Sequence, residues 1–163
     1  MSVAGFPLAP VAAAALAILA WAPPALAQDH ANHSGHGAPA APAVTGRFTP
    51  DATLSNEMAE ARSAFAERLS AIHAGKLDGA DYVALGAALE GRVTTIVREC
   101  KLPPDAGAVL HVSIARMLTA ASTMKRGSST PEQRRDAAVA AVRAYNDYGA
   151  RFDDPHWKAL QAR

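Results

Sequence analysis

The sequence predicts an all-α protein. It reads as an up-down-up-down four-helix bundle over residues 49–163, preceded by a signal peptide at 1–27 and a disordered His/Ala/Pro/Gly tail at 28–48. Three observations predict it. Apolar residues recur at steps of three and four in four successive segments with recognisable start and stop signals. No segment alternates as a half-buried strand does. Ahead of the helices lie an uncharged apolar stretch and a run of small residues, prolines and histidines with too little apolar surface to fold.

Residues 3–27 carry no charge and end in Ala25-Leu26-Ala27, the small-x-small pattern that a signal peptidase pocket admits. No basic residue precedes the apolar core, since the first is Arg47, so an uncleaved anchor is the competing reading. A membrane span needs about 20 apolar residues, and Val11–Trp21 is shorter, bounded by Pro10 and by Pro23-Pro24. Cleavage after Ala27 is the expectation. It would leave a periplasmic chain without a stable membrane span, starting at Gln28.

The first helix is expected to open at Thr49-Pro50-Asp51, with Thr49 as cap, Pro50 in the first turn and Asp51 complementing the dipole. Its stripe is Leu54, Met58, Ala61, Phe65, Leu69 and Ile72, and Gly75 ends it. The second starts near Asp78 and carries Tyr82, Leu85, Leu89, Val93, Ile96 and Cys100. Leu102-Pro103-Pro104-Asp105 breaks it, because a residue before proline is pushed out of the α region. The third holds Leu110, Ile114, Met117, Ala121 and Met124 in phase, up to the Gly127-Ser128-Ser129 loop. The fourth opens with Thr130-Pro131-Glu132-Gln133, a cap, a first-turn proline and a capping box together, and runs through Val139, Val142, Tyr145 and Gly149.

Formal net charge is +1, with acids and bases mixed along the helices, which argues against a nucleic-acid footprint. The G-x-S-x-G, phosphate-loop, H-E-x-x-H and C-x-x-C-H signatures are all missing, so no enzyme is expected. The one cysteine, Cys100, cannot close an internal disulfide. It is left to be buried, to pair between chains, to carry a cofactor or to bind metal. Burial is the commonest fate, in which case a serine there would carry an unpaired hydroxyl.

The densest chemistry is histidine. His30, His33 and His36 fall within seven residues of the tail, and imidazole suits Cu(II), Ni(II) and Zn(II). Cleavage after Ala27 would also leave His30 third from a free amine, a set that can form a square-planar nitrogen site. A solvated linker is the bland alternative. Cys100 and His111 form a second candidate pair across the Pro103-Pro104 hairpin, offset by about 6 Å along the axis at 1.5 Å per residue. Met117 and Met58 could add soft donors, although methionines at helical spacing are usually core filler. Asn146 sits on an otherwise apolar stripe, so its amide should point inward.

Two resemblances follow from particular runs. Ile96-Val97-Arg98-Glu99-Cys100-Lys101-Leu102, then Asp105 and Leu110-His111, resembles a pattern in uncharacterised small exported helical proteins that accompany copper and heavy-metal efflux systems. That resemblance implies that Cys100 and His111 belong together and does not specify a ligand. Leu54-Ser55-Asn56-Glu57-Met58 and Arg143-Ala144-Tyr145-Asn146 resemble segments of the soluble haem-b four-helix cytochromes. There Met58 matches the axial methionine, but Asn146 stands where the axial histidine should be.

The expectation from these readings is a periplasmic metal-binding protein acting as chaperone, buffer or resistance factor. Copper is favoured over nickel or zinc, and the candidate ligands are His30, His33, His36, Cys100 and His111. Its partners would be the metal ion and an envelope metal-transport protein. The rivals are a metal-free helical adaptor of the envelope and a haem-binding bundle.

Overall fold

The computed structural model describes residues 46–162. The chain divides into two units, 1–42 and 43–163, and the described residues belong to the second. They form five α-helices: α1 (Ala52–Ala66), α2 (Leu69–His73), α3 (Gly79–Glu99), α4 (Pro104–Lys125) and α5 (Pro131–Arg151). Among the described residues there is no strand, only an isolated bridge between Phe48 and Phe152. No helix there is long and apolar enough to cross a membrane. The expected signal peptide lies outside the described residues.

Local chemistry accounts for most boundaries. Asp78 caps α3 in a reciprocal box with Asp81, and Thr130 does the same for α5 with Gln133. Pro104 opens α4, where its missing N–H costs nothing. The start of α1 differs from the expectation. Asp51, two residues later than Thr49, is the cap, and its carboxylate accepts the Leu54 N–H at 2.7 Å. That same carboxylate bonds the end of α3, a tertiary contact that favours it over Thr49.

The expected single helix from Leu54 to Ile72 is in fact two. Arg68 N–H turns to the Phe65 carbonyl at 3.1 Å, a tighter bond that closes α1, and α2 restarts at Leu69. No breaker residue marks the place. α2 is held on α5, where Arg135 donates to the carbonyls of Ile72 and His73. Gly75 then ends α2 with φ of 62°, and the bonds Gly75 N to Ile72 O and Lys76 N to Ala71 O complete a Schellman turn.

One core joins all five helices, with Leu54, Met58, Phe65, Ile72, Leu89, Val93, Met117, Met124, Val142 and Tyr148 buried. Consecutive long helices make the closest packings: α1 on α3, α3 on α4 and α4 on α5. The α3–α4 contact is close enough that a Cβ on Gly86 would sit 2.8 Å from the Ala121 carbonyl. The chain after α5 folds back along the helices. Trp157 lies on Gly149, where any Cβ would overlap the indole, and Leu160 enters the core. Arg47 and Phe48, assigned to the tail by composition, are held on this unit: Phe48 N bonds Arg151 O, and Arg47 donates to the carbonyls of Gly149 and Phe152.

Candidate functional site

α3 ends at Glu99 and α4 starts at Pro104, so four residues, Cys100–Pro103, make the connection. Cys100 is the C-cap of α3, in extended conformation, with its N–H still bonded to the Ile96 carbonyl. This places it one step beyond the helical stripe on which the sequence put it. It is half-buried rather than fully buried. Beside it a cavity of about 160 Å³ is lined by Cys100, His111, Ile96, Val97, Leu102, Gly107, Leu110 and Ile114. The two candidate ligands of the hairpin therefore share one cavity, and His111 is exposed.

Burial and Asp51 together shape the electrostatics of Cys100. The thiol donates to Asp51 Oδ1 at 3.5 Å, and Lys101 N–H donates to Oδ2 at 2.6 Å. Burial, the neighbouring Asp51 charge and this hydrogen bond push the Cys100 thiol up to about 11. For Asp51, burial pushes upward, but the bonds from Lys101, Leu54 and Cys100 outweigh it and hold the carboxyl below its ordinary range. Both oxygens of Asp51 are thus engaged. Among the described residues no group of three or more His, Cys, Asp or Glu side chains could hold a metal ion. The hairpin contributes two donors, a thiol and an imidazole.

Met58 and Met117 are core residues and do not line this cavity. The tail candidates His30, His33 and His36 lie outside the described residues. His156 is exposed and bonds through its backbone to Asp154. His73 is half-buried, with a buried Nε2 that has no hydrogen-bond partner.

Asn146 does point inward. Its Nδ2 donates to the Leu160 carbonyl at 2.7 Å and its Oδ1 accepts the Leu160 N–H at 3.0 Å. The side-chain amide holds the returning C-terminal segment by both of its ends.

A polar centre that sequence reasoning missed lies under the same segment. Asp154, buried, accepts from Ser55 Oγ at 2.8 Å, Tyr148 OH at 2.7 Å and His156 N at 2.9 Å. Burial raises its carboxyl, but the three bonds and the His156 charge win and hold it below the ordinary range, while the Tyr148 phenol is pushed far up. The centre is fully bonded, joining α1, α5 and the final turn.

A broader groove of about 860 Å³ runs between α4 and α5. Its floor is small residues such as Ala120, Ala137 and Ala144, and its rim carries Arg116, Arg126, Arg143, Asp136 and Asp147. Arg116 and Asp147 pair across it at 2.6 Å.

No family model, curated protein or solved structure matches this chain. The functional reading rests on the side chains themselves.

Proposed function

We propose that this is an exported, non-enzymatic metal-handling protein of the periplasm, with copper as its cargo, acting as chaperone, buffer or resistance factor. The observation that carries the reading is that Cys100 and His111 line the same hairpin cavity. A thiolate beside an imidazole is a soft donor pair and selects Cu(I). The raised thiol means that the ion must displace a proton, so capture weakens as pH falls. His30, His33 and His36 supply harder nitrogen donors in the sequence, suited to Cu(II), and cleavage after Ala27 would add a terminal amine. In this reading α1 with α2, then α3, α4 and α5, form the four arms of an up-down-up-down bundle. The short connections and the pairwise packing of successive helices support that arrangement.

Metal titration of the processed protein tests it, with Cu(I) under reducing conditions and Cu(II), Ni(II) and Zn(II) in parallel. Cys100→Ala and His111→Ala should each abolish the same Cu(I) binding. Full Cu(I) binding by both variants, with helicity intact, would refute the hairpin site.

A second reading, a metal-free adaptor module, is favoured by the apolar side chains left in solvent. Val97 is 63% and Val112 54% exposed. Under it the wild-type protein binds no metal tightly and charges at these two positions abolish capture of an envelope partner.

A further inference from the structure

Residues 153–162 follow α5 without helix or strand. They run back antiparallel to it, with Trp157 over Gly149 and Leu160 beside Asn146, between α5 and α1. The segment is held as a bound peptide is held, by its main chain and by side-chain anchors. The Asn146 carboxamide takes both the N–H and the carbonyl of Leu160, at 3.0 and 2.7 Å. The Lys158 carbonyl accepts from Arg62 Nε at 3.0 Å and from Tyr145 OH at 3.3 Å. These four bonds read backbone, so they suit any residue there with a free N–H.

Selectivity lies in two anchors. Trp157 stacks on Tyr145, with ring centroids 6.4 Å apart. Leu160, 7% exposed, enters an apolar slot walled by Ala61, Phe65, Leu89, Met117, Ala141 and Tyr145. The residues between and beyond, Lys158, Ala159 and Gln161, are exposed. We propose that the groove between α1 and α5 is a docking site for an extended segment of another polypeptide, with an aromatic residue and, three positions on, a leucine. Residues 157–160 fill it in cis as a built-in competitor.

The segment is well suited to be displaced. Three side chains of the bundle hold its main chain, against the continuous hydrogen-bond ladders of α1 and α5, so it opens at lower free energy than those helices. Upstream, Asp154 is bonded to Ser55, Tyr148 and the His156 N–H. The chain beyond His156 can therefore lift while that centre stays closed. A groove filled in cis binds a partner in proportion to the fraction of chains in which the segment is lifted. Weakening the segment's own anchors thus strengthens binding in trans, whereas damage to the groove weakens it. The slot and the Cys100–His111 cavity share no lining residue, so docking here is separate from metal capture.

The test is fluorescence anisotropy of a labelled peptide of residues 155–162 with the full chain. Leu160→Ala, and Trp157→Ala with Leu160→Ala, should each bind the unaltered peptide at least about tenfold more tightly than wild type does. Adding Asn146→Ala to Leu160→Ala should remove that gain, and Leu160→Ala in the peptide should abolish binding. Equal binding by wild type and both variants, with helicity intact, puts the peptide elsewhere and overturns the groove. No binding by either helical variant makes the segment a fixed part of the fold and overturns it as well. Should neither variant keep its helicity, the wild-type chain decides: excess peptide should move the Trp157 indole NMR signal to a solvent-exposed position, and an unmoved signal overturns the proposal. A wild-type dimer that Leu160→Ala dissolves makes a second copy the occupant and overturns the assignment to another polypeptide.

Discussion

The Cys100 thiol donates to Asp51 Oδ1 across 3.5 Å, joining the C-cap of α3 to the N-cap of α1. One carboxylate thereby ends one helix, begins another and adds to the burial that raises the only thiol. Asp51 is close enough in space, and far enough in sequence, to have escaped notice as a partner for Cys100.

Alkylation of Cys100 should be slow at pH 8 and rise only towards pH 11, following its raised thiol. Asp51→Asn keeps a helix cap but removes the charge, so the midpoint of the alkylation–pH profile should fall. An unmoved midpoint in a folded variant would contradict the assignment. Stability follows the same sign. The folded thiol holds its proton more tightly than the ordinary value of 9 allows, so its contribution is whole below about pH 9 and is lost as pH rises to about 11. Cys100→Ala should flatten that part of the stability curve.

Cys100→Ser should be mild, costing less than about 1 kcal/mol, because the hydroxyl inherits Asp51 as acceptor. The stripe pattern alone predicted an unpaired hydroxyl and a larger loss. Urea denaturation of wild type and Cys100→Ser separates the two, since a loss of about 2–3 kcal/mol would mean that the Asp51 contact does not form.

Asp154→Ala leaves the Ser55 and Tyr148 hydroxyls buried without their acceptor, at about 1–3 kcal/mol each. The lowered carboxyl also works with a definite sign: its contribution is present above the ordinary carboxylate range and is lost as pH falls through the folded value. Denaturation at pH 7 and in acid should show the gap between wild type and Asp154→Ala shrinking in acid. A constant gap would show that the carboxylate charge is not what the centre uses.

Gly149→Ala should cost about 1–3 kcal/mol and expose Trp157, because the new methyl meets the indole. Gly91→Ala, in mid α3 with nothing near its Cβ position, should instead stabilise by about 0.5–1 kcal/mol. Thermal melts read by tryptophan fluorescence decide both, and the opposite order would mean that Trp157 does not rest on α5.

Deleting residues 28–40 should leave the melting temperature of the helical unit nearly unchanged and reduce Cu(II) binding, since that segment has little to bury but holds all three tail histidines. Undiminished Cu(II) affinity would remove the tail from the proposed site.

The sequence by itself determined the all-α class, the places where α3, α4 and α5 begin, and the stop at Gly75. Each depends on groups within about four residues of one another: Asp78 with Asp81, Thr130 with Gln133, and a proline with its predecessor. It also determined which faces are buried, because a helical period carries that information directly. Only the tertiary structure decided the rest. The break between α1 and α2 has no local signal, and the anchor that holds α2, Arg135, comes some 60 residues on in the chain. The cap of α1 passed from Thr49 to Asp51 because the end of α3 also needed an acceptor. Asn146 was legible as an inward polar group, but not its partner Leu160, and the Asp154 centre was not legible at all. The pairing of Cys100 with His111 was suggested by the hairpin, yet their common cavity depends on how α3 and α4 meet. Long-range hydrogen bonds have no local period, and two chain segments far apart leave no mark on each other's sequence that a single chain reveals.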